Sequence, residues 1–206
     1  MVAGLRHVHE DLAQAVADGL GIKELPDAVT PARAPVTDLA PSPALSILRN
    51  GPDSFAGRRL GVLVTDGADA GLLRQVEEAA GKLGVIVELI APTVGGVTTS
   101  DGAVRSADQK IDGGPSVRYD AVVIATDTAG AQLLANLPPA RDFVTDAFAH
   151  SKFVGYTAPA SPLFQAIGLA DKLDDGFAQL DGGGSVDTFL QTCAQLQYWQ
   201  RETTFG

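Results

Sequence analysis

Leu5, Val8, Leu12, Val16 and Leu20 recur every three or four residues, the spacing of one apolar helix face. Gly19 and Gly21 supply its stop. A lone two-faced helix must bury its stripe, so it is expected to belong with a domain preceding the chain. From Pro26 to Pro52 the chain holds six of its twelve prolines without a sustained period, which reads as extended linker. After Gly57 strand and helix patterns alternate. Leu60 to Thr65 is an apolar, β-branched run, as in a buried parallel strand. Leu72, Leu73, Val76, Ala79, Ala80 and Leu83 predict a helix closed by Gly84. Val85 to Ile90 predicts a second strand. Val97 to Thr99 and Ala103 to Arg105, joined by Ser100-Asp101-Gly102, predict a hairpin. Asp120 to Thr126 and Phe153 to Thr157 predict two more strands. Helices are expected at Thr128 to Asn136, Pro139 to His150, Ser161 to Leu169, and from the N-cap Ser185 onward with Val186, Phe189, Leu190, Cys193 and Leu196 on one face.

This alternation predicts an α/β fold, a three-layer sandwich with a mainly parallel, flavodoxin-like sheet, preceded by one helix and an extended linker. The expected organisation is residues 1–21 helix, 22–56 linker and 57–206 α/β domain. Ligand sites in such sheets lie at the carboxyl ends of the strands, here Thr65 to Gly71, Thr126 to Gly130 and Thr157 to Ser161.

Composition narrows the function. With 206 residues, 45% hydrophobic and 19% charged, the chain can bury one core, and two full enzyme domains do not fit. The formal charge of -10 repels phosphate backbones and anionic lipid, so neither nucleic acid nor a membrane surface is an expected partner. The charge is uneven: the first 59 residues hold 7 acidic and 6 basic side chains, the remainder 18 and 9. A single cysteine forms no internal disulfide and no thiolate metal cluster. The polar N-terminus lacks the apolar core of a signal peptide, and no run approaches the roughly 18 apolar residues of a membrane span. A soluble, cytoplasmic protein is expected.

Candidate chemistry is sparse. Asp66-Gly67-Ala68-Asp69-Ala70-Gly71 joins a strand to a helix, but its glycines do not follow Gly-x-Gly-x-x-Gly and no Gly-Lys-Ser/Thr follows; tight-turn glycine is the better reading. Gly182 to Gly184 likewise reads as a loop before a capped helix. His7 and His9 lie about 200° apart around a helix, so only His7 with Asp11 could share a metal there, and a surface pair is the simpler account. His150 suits a helix C-terminus. Ser151 beside it implies no triad, whose members meet in space. Cys193 on an apolar face reads as a core thiol, and Trp199 with Tyr198 as terminal packing. The informative stretch is Lys152 to Leu163. A buried strand enters a turn of small residues and leaves as a helix, the layout of a nucleophile elbow. Its apex residue is Ala158, and a methyl group attacks nothing. Ser161 falls inside the first helical turn, with no base in evidence.

Gly57 to Ala70, Asp120 to Thr126 and this elbow resemble the class I glutamine amidotransferase-like fold in its ThiJ/PfpI branch. His9 to Leu20, Ser42 to Ile47 and the ending Tyr198-Trp199-Gln200-Arg201-Glu202 resemble, more specifically, the C-terminal domain of large-subunit haem catalases. The resemblance implies a non-catalytic accessory domain, stabilising or chaperone-like. Where ThiJ/PfpI hydrolases carry a cysteine and then a histidine, this chain has Ala158 and Pro159. Asp69 stands where their acid would, as a vestigial acid that caps a helix instead. The haem, by the same resemblance, belongs to a preceding core that disproportionates hydrogen peroxide, because none of Tyr119, Tyr156 and Tyr198 lies in the Arg-x-Phe-x-Tyr context of a haem ligand. No cofactor or metal is expected in this chain. The implied partners are that core, sibling subunits of a tetramer, and unfolded client proteins. The competing readings are a ThiJ/PfpI-type hydrolase or glyoxalase-type enzyme, and a flavodoxin-like small-molecule-binding module.

Overall fold

The computed structural model describes residues 1–36, 38–46 and 49–204, so Ile47 of the Ser42 to Ile47 segment lies outside the described residues. The chain forms two units, Met1–Asn50 and Gly51–Gly206.

In the first unit, the continuous helix expected from Leu5 to Leu20 is not formed. Two helices replace it, α1 (Val2–Leu5) and α2 (Glu10–Gly19), separated by a turn in which His9 is extended. The break follows from local chemistry. Glu10 and Asp11 favour a helix N-terminus at their own position, and the Arg6 guanidinium spans the break, bonding Glu10 at 2.7 Å and the Pro26 carbonyl at 3.0 Å. The buried positions change accordingly. Val2, Ala13 and Ala17 form the small core, with Leu5, Val16 and Leu25 packed against it. Val8, Leu12 and Leu20, three members of the expected stripe, are 72%, 44% and 63% exposed. Between α2 and the second unit one 3-10 turn, Pro43–Leu45, is the regular element among the described residues.

The second unit is built on β1 (Arg59–Val64), β2 (Ile86–Ala91), β5 (Gln109–Lys110), β6 (Ala121–Ala125), β7 (Val154–Tyr156) and β8 (Phe177–Gln179), all parallel in the order β5-β2-β1-β6-β7-β8. β3 (Val97–Thr98) and β4 (Val104–Arg105) form the expected antiparallel hairpin. Period-two alternation sorts the core into two faces. Leu60, Val62 and Val64 of β1, with Val123 of β6, pack toward α3 (Ala70–Leu83) and α7 (Val186–Thr192). Leu63, Val122 and Ile124 pack on the other side, against α4 (Thr128–Asn136), α5 (Pro138–Ala149) and α6 (Ser161–Ala166). The result is a three-layer α/β sandwich. Its longer strands run in flavodoxin-like order, with β5 added at the edge. The chain leaves β1 toward one face and β6 toward the other, so the topological switch point lies between them.

The caps are local and specific. Asp69 accepts the Leu72 amide at 2.9 Å, Asp127 the Gly130 amide at 2.7 Å, and Ser185 the Thr188 amide at 3.2 Å, each satisfying an otherwise unpaired first-turn donor. Gly84 ends α3 in the left-handed region at φ 70°, where glycine has no steric penalty.

Candidate functional site

β7 leads through Thr157 into a 3-10 turn, Ala158–Ala160, and then into α6. The strand–turn–helix order read from the sequence is therefore formed, although Ala158 lies in a 3-10 turn without the positive φ that, among the described non-glycine residues, Ser151 and Leu196 have. Thr157 fixes its entry by donating to the Thr126 carbonyl at 2.9 Å while accepting the Thr126 amide at 3.2 Å. At the apex the Ala158 methyl is exposed, Pro159 sits half-buried in the turn, and Ser161 opens α6 at the surface.

The Ala158 amide is already engaged. It donates to both carboxylate oxygens of Asp181, each at 3.0 Å. An exposed backbone amide can donate to an anionic group, and here the chain's own carboxylate takes that donor. The Asp181-Gly182-Gly183-Gly184 loop makes this reach possible. Gly182 and Gly183 have φ of 65° and 108°, and a Cβ at Gly184 would stand 1.9 Å from the Gln179 carbonyl oxygen. Asp69 lines the same cleft of about 490 Å³ as Asp181, with one oxygen held by the Leu72 amide. Ala158, Pro159 and Asp69 are legible in the sequence; Asp181 is not, its only signal being an acid that precedes three glycines.

The remaining candidates are dispersed. The His7 ring meets the Val29 carbonyl and is thereby turned to backbone. His9 stands 3.9 Å from Asp11. His150 follows α5 as its C-cap. Among the described residues no group of three or more His, Cys, Asp or Glu is placed to hold a metal ion, and no helix is long and apolar enough to cross a membrane. Cys193 is fully buried against the α3–α7 layer, and burial pushes its thiol well above the usual range. Ellman's reagent is therefore expected to leave the native protein unlabelled at mildly alkaline pH and to titrate one thiol per chain after denaturation. Native-state labelling at the rate of a free thiol would contradict this placement.

Two buried cations also escaped sequence reading. Lys152, 8% exposed, donates to the Ser116 and Tyr119 carbonyls at 2.6 and 2.5 Å, and burial lowers its pKa. Arg201 makes a two-bond contact with Asp174. Neither pattern was visible as a motif, because each joins segments far apart in sequence.

A second cleft, of about 390 Å³, opens at the switch point. Thr65, Asp66 and Gly67 from the end of β1, Asp127 and Gly130 from the start of α4, and Val97 from the hairpin all border it. Its floor is tied by the Thr65 and Thr126 hydroxyls, 2.7 Å apart. The hairpin is held over it by the Asp66 carboxylate, which accepts the Thr98 amide at 2.7 Å, and by the Gly67 amide, which donates to the Thr98 carbonyl at 2.8 Å.

Sheet, switch point and elbow define a parallel α/β domain whose strand–turn–helix corner carries a methyl group at its apex. Comparison with known proteins makes the class specific. Residues 56–203 match the family described as the C-terminal domain found in long catalases, and the chain belongs to that family. It is 46% identical over 202 residues to "Catalase C" of Rhizobium meliloti (strain 1021), covering 98% of this chain and 29% of that protein. It is 33% identical over 219 residues to "Catalase HPII" of Mycobacterium avium, covering 98% and 30%. "Catalase HPII" of Pseudomonas putida is 30% identical over 199 residues, covering 96% and 27%. The chain thus spans less than a third of the length of these relatives.

Proposed function

We propose that the chain is a non-catalytic accessory domain, carried behind the haem core of a large catalase, where it stabilises the assembled enzyme. The observation that carries this reading is the elbow. Its apex is Ala158, whose own amide donates to Asp181. A corner with no nucleophile and an internally neutralised donor is suited to holding β7 to the β8–α7 loop, not to attacking a substrate.

The peroxide chemistry is assigned to the preceding core, which converts two hydrogen peroxide molecules to two waters and one dioxygen at haem. The tyrosines of this chain do not fit a haem ligand. The Tyr119 hydroxyl donates to Glu88 at 3.0 Å, and burial together with that carboxylate raises its pKa, opposing the phenolate a haem iron would require. Tyr156 packs edge-on against Phe164 and Tyr198 against Phe153. On this reading the partners are the core and sibling subunits of a cytoplasmic tetramer. The exposed Val8, Leu12 and Leu20 of the first unit offer that core an apolar surface.

The test compares the full-length parent catalase with a version ending at Asn50. Unchanged turnover per haem with faster thermal inactivation is expected. Equal half-lives would remove the stabilising role, and lost turnover would remove the non-catalytic one. Holdase activity is a subsidiary reading, favoured by the same exposed side chains; the 206-residue chain should then slow aggregation of a heated client protein, and no effect at molar excess would end it.

A further inference from the structure

The switch-point cleft has features that neither the elbow nor an accessory role requires. Its volume of about 390 Å³ falls within the range of small-ligand sites, roughly 300–1,000 Å³. It is walled by segments from the ends of three different strands, which the sheet holds in fixed relation. One wall is apolar, with Pro92, Val97, Ala129 and Leu133. Leu133 is 51% exposed although it borders this concavity. Asp66, which is exposed, and half-buried Asp127 line the cleft as well.

Each carboxylate uses one oxygen on a backbone amide, Asp66 on Thr98 and Asp127 on Gly130. Among the described residues neither forms a salt bridge with a basic side chain. Glycine permits the close packing at this end of the sheet: a Cβ at Gly67 would lie 2.3 Å from Asp127 Oδ2, and one at Gly130 would lie 1.8 Å from Thr65 Oγ1. Phosphate is disfavoured here, because the α4 amide that would meet it is taken by Asp127 and both nearby charges are negative. Two carboxylates without a basic partner, in a cleft lined also by apolar side chains, instead suit an ammonium or guanidinium group carried on a small apolar body.

We propose that the cleft between β1 and β6 is a binding site for a small organic cation with an apolar body. Benzylamine serves as the probe, benzyl alcohol as its neutral counterpart and inorganic phosphate as the anion. Titration of the 206-residue chain, followed by calorimetry and by backbone amide shifts, should show saturable benzylamine binding at least about tenfold tighter than the alcohol, with no response to phosphate. The largest shifts should fall on Gly67, Val97 and Gly130. Asp66→Asn and Asp127→Asn each retain the oxygen that accepts a backbone amide, so the fold is kept, and the double variant should weaken benzylamine about tenfold or more. The proposal fails if benzylamine and the alcohol bind alike, if the double variant binds benzylamine unchanged, if the shifts map elsewhere, or if no saturable binding is reached at millimolar probe. Each of those results would leave the accessory reading intact, since that rests on Ala158 and Asp181.

Discussion

Arg201→Ala is expected to destabilise the Gly51–Gly206 unit by about 2–4 kcal/mol: the buried backbone acceptors lose a charged donor, worth roughly 1.5–3 kcal/mol, and the packing of the side chain is lost as well, while the Asp174 carboxylate, 25% exposed, is left in reach of water. Arg201 is 2% exposed. Its Nε and Nη2 atoms donate to the two oxygens of Asp174 at 2.8 and 2.7 Å, and Nη1 donates to the Phe148 and Lys152 carbonyls at 3.2 and 3.0 Å. The guanidinium carbon also stands 4.6 Å from the Phe148 ring centre, 5.3 Å from Phe177 and 5.4 Å from Tyr198. One side chain thus ties the chain end to the α5–β7 turn and to the approach to β8. Alanine would leave two carbonyls, a carboxylate and three aromatic faces facing a void. Arg201→Lys should recover only part of the loss, because an ammonium cannot reproduce the planar two-bond contact. Urea unfolding of the three proteins measures this directly. A loss below about 1 kcal/mol for alanine would place Arg201 among ordinary surface pairs.

That arginine also marks where sequence reasoning stops. Its neighbours are recognisable as the end of a family, yet nothing in Tyr198 to Glu202 states that the fourth of these residues is buried. The partner Asp174 lies 27 positions away, and such pairings are fixed by the fold, not by local pattern. What was legible was local and repetitive. Leu60–Val64 of β1 and the whole of β6 are unbroken runs without a polar side chain, and both proved buried on both faces. Asp69, Gly84 and Ser185 were legible because caps act within four residues of themselves. β5 and β8 were not: they are the two edge strands of the sheet, neither holds a fully buried residue, and Gln109-Lys110 and Gln179 break any apolar run. The N-terminal helix misled for the opposite reason. Its spacing was regular, but the acidic pair Glu10-Asp11 favours a new helix start, and Ala13 and Ala17 turn inward instead of Leu12 and Leu20. At the elbow the missing nucleophile was readable from one residue, Ala158, whereas Asp181, which fills the donor site beside it, required the folded loop.

Gly61→Ala should cost about 3–5 kcal/mol, although it adds one methyl group to a strand where alanine is otherwise tolerated. Gly61 lies in β1, in register with Glu88 of β2 on one side and Val122 of β6 on the other. The Tyr119 ring occupies the space above it: a Cβ at Gly61 would meet Tyr119 Cδ2 at 2.5 Å and Cγ at 2.6 Å. The ring crosses this gap so that its hydroxyl reaches Glu88 Oε2 at 3.0 Å, while the same carboxylate pairs with Arg59. Tyr119 is 2% exposed and backed by Phe143 at 6.4 Å between ring centres, so the added methyl has to push a confined ring off its hydrogen bond. Overpacking of this kind costs about 1–3 kcal/mol, and a lost bond to a charged group roughly 1.5–3 kcal/mol more. A double-mutant cycle isolates the cause. In a Tyr119→Ala background the ring is absent, and the same Gly61→Ala change should then cost less than about 1 kcal/mol. An equal cost in both backgrounds would show that the strand requires glycine for its backbone and not for the tyrosine above it.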